Sequence, residues 1–444
     1  MPISIYLLTC SYQEHHSSSQ ALGMNRKVPN MLPPILTVSW IILMTISASS
    51  SFAQEQANIA RELYDSYSRY QVPEITSRRF TQADMLQWLR PLQERQVFEM
   101  VPAGKSAEGR DIWLLKVGRG KTSVMLWSQM HGDEATATMA IVDMMNFLGS
   151  SPNHRVAKMI TEQLTLLIIP MLNPDGAERF QRRTAQLIDI NRDALFLGTP
   201  EARVLRGAWE RYRPHFGFNL HDQDPRTTVG NTKKVSTIAL LAPAYDESRS
   251  DNDVRRPAKQ VAATFAAVME QFIPGNVSKY DDTFEPRAFG DNIQKWGTST
   301  VLVESGGWPG DPNKMFIRKL NFVGLLTTLY AIGGEQYQHA DLQVYEQLPF
   351  NTMYFFDLIL RNALLQVNDC MPSITVDIGI NIDEELDSST GSLTLVGKVM
   401  DIGDLSTYAS FEEVDLRGSS VGGVITQIDQ RLSIDQIRSL SNKK

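Results

Sequence analysis

Cysteine is almost missing from this chain, with two in 444 residues, Cys10 and Cys370. A supply that small excludes a disulfide framework, so stability has to come from buried apolar surface. A surplus of basic residues is missing too: 43 Lys and Arg stand against 50 Asp and Glu, for a formal net charge of -7. No basic run carries interleaved aromatics either, which makes the phosphate backbone of a nucleic acid a poor partner. Internal repeats, low-complexity tracts and proline-rich linkers are absent. What is present is 42% hydrophobic and 21% charged residues, the profile of an ordinary folded protein long enough for one large domain and a smaller one.

The N-terminal region reads as an export signal. From Met24 the chain has two cations, Arg26 and Lys27, an apolar core from Ile35 to Ile46, and small residues ending in Ser51-Phe52-Ala53. This order predicts cleavage after Ala53 and a secreted or periplasmic protein. The apolar core is short against about 30 Å of hydrocarbon, so no permanent membrane anchor is expected. Residues 1–23 look like an upstream extension, with Met24 the more natural start. Cleavage would remove Cys10 and leave five histidines: His131, His154, His215, His221 and His339.

Residues 54–340 read as one catalytic domain: helical patterns passing into short alternating runs lead in over 55–118, and from 122 apolar runs alternate with amphipathic helical stretches. "TSVMLWSQM" precedes "EATATMAIVDMMNFLGSS", and "LTLLIIPML", "HFGFNL", "VSTIALLAP" and "TSTVLVES" follow. Near-continuous apolar strands between helices predict an α/β fold whose mostly parallel, mixed sheet is buried on both faces. Residues 341–370, including "HADLQVYEQLPFN" and "TMYFFDLILRNALLQ", are expected as a helical connection. Residues 371–444 alternate at period two and predict a small β-rich C-terminal unit, with "DEELDSSTGS" as a loop.

Ligands of such sheets sit at the carboxyl ends of the strands, which directs attention to the turns after the apolar runs. "HGDE" places His131 and Glu134 there, and "NLHD" places His221. Two imidazoles and a carboxylate form a donor set for catalytic zinc, which keeps one position open. The HxxE spacing alone is equally a polar turn whose acid favours a helix N-terminus. Glu304 ends the late run "VLVESGG", where burial would lift its pKa towards that of a general base.

The order of motifs is more telling than any one of them. After HxxE come Asn173-Pro174-Asp175-Gly176, then Arg182, then Asn191-Arg192, then His221, then Glu304. In this order, over residues 75 to 335, the chain resembles the zinc carboxypeptidase family, the funnelin metallopeptidases. The resemblance implies one Zn2+ per chain held by His131, Glu134 and His221, with Glu304 as general base and proton donor. Arg182 would stabilise the oxyanion, in preference to its neighbours Arg179 and Arg183, and Asn191 and Arg192 would recognise a substrate's terminal carboxylate.

The implied protein is a metallocarboxypeptidase acting on a peptide or muropeptide with a free carboxylate. Alternatives are a cell-wall amide hydrolase, an N-acyl amino acid deacylase, or a binding protein on the same fold. Asp133 within "HGDE" is similar to bacterial members and departs from the arginine of the animal digestive enzymes. Tyr280 competes with Phe284 and Phe289 for the family's substrate-covering tyrosine. Asp222 is a candidate acceptor for a ligand imidazole, and Arg287 and Asp291 either line the pocket or pair with each other. His215 reads as packing or surface, and His154 and His339 as solvated.

Overall fold

The apolar runs become strands with both faces covered. A computed structural model describes residues 51–386 and 393–442. Of the first nine strands, β1 (Glu99–Lys105), β2 (Asp111–Gly118), β3 (Thr122–Ser128), β4 (Leu164–Ile169), β5 (Phe216–Asp222), β7 (Ile238–Leu241), β8 (Val277–Lys279) and β9 (Ser299–Ser305) form one sheet, and the short β6 (Thr228–Val229) lies outside it. Their order is β1-β2-β4-β3-β5-β9-β7-β8. The inner run β4-β3-β5-β9 is parallel, whereas β1, β2 and β7 join by antiparallel pairing. Val124 and Leu126 of β3 enter one core and Met125 and Trp127 the other, which is why this strand reads as an unbroken apolar run.

The first core takes the helices Thr136–Ser150, Arg255–Glu270 and Met315–Gly333; the second takes Pro200–Tyr212 and Phe289–Lys295. Met315–Gly333 has the length and composition to cross a membrane, but 83% of its apolar window is buried inside the protein. It is a core helix. Its Arg318, fully buried, pairs with Asp143 of Thr136–Ser150 at 2.6 Å. Asp143 also accepts from the Tyr67 hydroxyl at 2.7 Å and the Val72 amide at 2.8 Å, which ties the N-terminal lead-in to the core.

Residues 352–366, expected as helix, are instead a strand. β11 (Phe355–Leu365) is the second strand of a sheet ordered β14-β11-β12-β13-β15, with β12 (Ile374–Leu386), β13 (Leu393–Gly403), β14 (Ala409–Asp415) and β15 (Arg431–Ser433). Its neighbours β12 and β14 cover both edges, and it buries Leu358 and Leu360 in one cluster and Phe356 and Ile359 in another. Burial on two faces erases the period-two signature, leaving a short apolar run that suits either structure. The expected helical connection reduces to the single turn Gln343–Glu346 and a 3-10 turn before it.

The described residues form one compact unit. β10 (Asn351–Thr352) pairs with β6, and the buried Arg226 joins Asp357 at 2.8 Å and Asp383 at 2.6 Å. Removing one partner of a buried pair strands the other charge. Arg226→Ala is therefore expected to lose about 3–5 kcal/mol and to free the C-terminal sheet, read as an earlier, separate transition in thermal melting.

The residues of the expected signal up to Ser50, and with them the upstream extension, lie outside the described residues. So do 387–392 of the expected "DEELDSSTGS" loop, whose first four residues complete β12.

Candidate metal centre

The carboxyl ends of β3 and β5 flank the point where the chain order reverses, since β3 leads to β4 on one side and β4 leads to β5 on the other. A crevice opens at such a point, and the HGDE turn follows β3 there. The Glu134 amide donates to the His131 carbonyl at 3.1 Å. A Cβ on Gly132 would lie 2.0 Å from the Gly176 backbone, so only glycine lets the HGDE and NPDG turns touch.

The NPDG turn is held from below. The Asn173 side chain accepts from the Gly176 amide at 2.9 Å, and Pro174 opens the short helix Pro174–Arg179. Asp175, fully buried, accepts from the Ser106 hydroxyl, the Glu108 amide and Arg110 at 2.7–2.8 Å.

His131, Glu134 and His221 meet with one donor atom each, all within 4.8 Å of one another. Each Nδ1 stands 2.7 Å from a Glu134 oxygen, and the two Nδ1 atoms are 3.2 Å apart. All three side chains are buried. Bonds of about 2.0–2.2 Å to a shared Zn2+ in tetrahedral array put ligand atoms roughly 3.3–3.6 Å apart, so the residues fit zinc in donor type, with the three atoms gathered slightly closer than a bound ion would hold them. Burial opposes the Glu134 charge, but the two imidazoles outweigh it and hold its carboxyl well below the usual range. Burial likewise opposes the His131 cation, and Glu134 and Asp189 push it up to about 9; in His221 burial prevails and lowers the pKa.

Asp189 is the residue that sequence reasoning missed. It contacts His131 Nε2 at 3.0 Å and accepts from Arg182 at 3.0 Å. A carboxylate behind a ligand imidazole fixes the ring and raises its basicity. The only signal was its place two residues before Asn191 in a loop that read as charged. The role considered for Asp222 is corrected here: it accepts from Thr136 at 2.6 Å and Lys314 at 3.2 Å, and His221 Nε2 has no hydrogen-bond partner among the described residues. Asp189→Asn is expected to weaken zinc binding by about 10–100-fold, measured by competition with a coloured chelator.

Arg182 donates to Glu134 at 2.9 Å and lies 3.1 Å from His131 Nδ1. Its neighbours point elsewhere: Arg179 pairs with Glu108, and Arg183 donates to the Leu187 carbonyl. Glu304 is the in-register neighbour of His221 across β5 and β9. It is buried with Oε2 unpartnered among the described residues, and burial followed by the Glu134 charge lifts its pKa to about 8.

A cavity of about 580 Å³ opens on this cluster, lined also by Asn191, Arg192, Tyr280 and Asp291. Asn191 accepts from the Phe289 amide at 3.0 Å, and Arg192 stands 3.5 Å from Glu285. The charge of Glu304 and burial raise the Tyr280 phenol. Asp291, pushed up to about 7 by burial, accepts from the Glu285 amide, while Arg287 pairs with Glu285, so Arg287 and Asp291 do not pair. Among the remaining histidines, His215 is exposed beside Ser123, and His339 stacks on Phe52. His154 is not simply solvated: it caps the helix Arg155–Gln163 and contacts Glu62 at 2.9 Å.

Residues 85–220 match the profile of the zinc carboxypeptidase family, peptidase M14. The span holds HGDE, NPDG, Arg182 and Asn191-Arg192 and stops one residue before His221, so the third donor and Glu304 join the site through the geometry above. Carboxypeptidase 2 of Trichophyton tonsurans is 27% identical over 170 residues, 36% of this chain and 31% of that protein. Carboxypeptidase SOL1 of Arabidopsis thaliana is 25% identical over 151 residues, 32% of this chain and 28% of that protein. The chain thus spans about a third of the length of the curated relatives it matches. A metallo-carboxypeptidase structure from Burkholderia cenocepacia superposes with a TM-score of 0.47 at 16% identity, covering 58% of this chain and 70% of that one.

Proposed function

We propose that this protein is an exported zinc metallocarboxypeptidase that removes the C-terminal residue of peptides. The observation carrying the reading is the convergence of His131, Glu134 and His221 beside a buried carboxyl, Glu304, whose pKa is raised into the range of a general base. His131, Glu134 and His221 would hold one Zn2+ per chain; when bound, the ion polarises a carbonyl and makes water more acidic.

The chain's own groups supply the rest. Asn191 and Arg192 bind the terminal carboxylate of the substrate, the arginine through its planar fork, and set the last amide over the site. Glu304 takes the proton from the attacking water and returns it to the leaving amine as the C–N bond breaks. Arg182, fixed by Asp189, turns N–H groups to the oxygen on which negative charge develops.

The test is mass analysis of a mixed peptide and muropeptide library incubated with zinc-loaded protein, with Glu304→Gln as blank. Stepwise loss of single C-terminal residues is the expected result. Internal cell-wall cuts, or no turnover, would overturn it. For export, the expected mature chain begins at Gln54, read by N-terminal sequencing of the extracytoplasmic fraction.

A further inference from the structure

A second cavity, of about 520 Å³, lies beside the first, and the two share Glu134, Asp222, Gln223 and Asp224 in their walls. Its floor comes from the turns after β5 and β9, and its far wall from the C-terminal sheet, through Asp357, Ile382, Asp383, Glu384, Leu395 and Phe411. That sheet lies wholly outside residues 85–220. Pairing of β10 with β6 and the Arg226 ion pairs hold the wall in place.

The chemistry of this cavity is two-sided. Trp308, Phe411 and Leu395 give it apolar surface, and Leu395 remains 50% exposed, which for a residue of that type at a cavity wall leaves apolar area to be covered. The ionisable lining is acidic, eight carboxylates against three cations. The cations are engaged: Arg226 with Asp357 and Asp383, Arg78 with Glu384, Lys314 with Asp222. Asp224, at the seam between the cavities, has a side chain 41% exposed and a single loose ion pair, 3.5 Å from Arg226.

We propose that the second cavity receives the part of the peptide upstream of the scissile bond, and that it selects a basic side chain there. The proposal rests on the carboxypeptidase reading above. With the terminal carboxylate at Asn191 and Arg192 and the scissile amide at the metal donors, the preceding residues pass the seam and enter the acidic cavity. A lysine or arginine suits it because the aliphatic stem covers apolar surface while the head reaches a carboxylate, and an arginine head also stacks on an indole. The C-terminal sheet is thus a specificity element of the site.

The test compares three peptides with one common C-terminal residue, taken from the best cut in the library: a blocked dipeptide, a pentapeptide with arginine two and three residues before the scissile bond, and the same pentapeptide with glutamates there. The zinc-loaded full chain is expected to give the arginine peptide a kcat/KM about tenfold above the glutamate peptide. Glu384→Gln and Leu395→Ser, which line only the second cavity, should each shrink that ratio while leaving the blocked dipeptide unchanged. Calorimetric binding to Glu304→Gln should show the same order without turnover. Equal kcat/KM and equal binding for the two pentapeptides overturn the proposal and leave the carboxypeptidase reading standing. Equal losses on dipeptide and pentapeptide in the variants also overturn it, since they mark a general structural effect. Cleavage of none of the three peptides defeats both readings.

Discussion

Glu304→Gln is expected to leave zinc loading and the fold intact and to slow peptide hydrolysis by about 10²–10⁴-fold, the range in which a positioned general base contributes. Glutamine keeps the shape of the side chain, so the in-register contact of β5 with β9 persists; what is lost is a group able to accept and return a proton. The expected signature is a fall in kcat with little change in KM, because Glu304 is not among the groups assigned to hold the terminal carboxylate.

The same substitution has a second readout in metal-free protein. The Glu304 pKa is raised from 4.5 to about 8 by burial and then by the charge of Glu134. The native state therefore holds this proton more tightly than the unfolded chain does. The resulting stability is fully present below about pH 4.5 and is lost as the pH rises through about 8. His131, raised from 6.5 to about 9, acts with the same sign at higher pH. Melting temperatures of the metal-free chain should fall from pH 4.5 to 8, and fall less steeply in Glu304→Gln. A slope unchanged by the substitution would show that the carboxyl is not held neutral.

Asp143→Ala is expected to destabilise the protein by about 3–5 kcal/mol, because it leaves the Arg318 guanidinium uncompensated in the core. Both side chains of the pair are 0% exposed. Arg318 also donates to the carbonyls of Ile75 and Val72, so the change loosens the lead-in from Tyr67 onward as well as the helix pair. The denaturant midpoint measures the loss. Asp143→Leu combined with Arg318→Met, which removes both charges, should recover much of it, since a buried pair gains little over apolar residues of similar size. A double variant no better than the single one would mean that the donors of Arg318 to the backbone carry the stability instead.

How much was legible depended on how local the signal was. His131 and Glu134 lie in one turn after β3, and β5 and β9 are apolar runs that end at His221 and Glu304, so motif order together with the strand-end rule pointed to all four. Gly132 and Gly176 were legible only as letters in motifs; their physical reason, the contact of two backbones, needs coordinates. Asp189 was passed over because its partners His131 and Arg182 are 58 and 7 residues away, and a lone aspartate in a charged loop carries no trace of either. β11 was read as helix because burial on both faces removes the alternation by which strands are recognised.

By itself the sequence determined the alternation of strands and helices, the family-specific order of HGDE, NPDG, Asn191-Arg192, His221 and Glu304, and a charge balance unsuited to nucleic acid. Periodicity reports the alternation directly and composition the charge balance, while the motif order speaks only through its resemblance to the family. The tertiary structure alone decided that Asp189 and not Asp222 backs a donor imidazole, that Asp143 and Arg318 are a core pair, and that the C-terminal sheet walls a cavity sharing lining residues with the site. Each of those depends on which distant segments touch, and contact between distant segments is set by packing, which leaves no periodic mark in the chain.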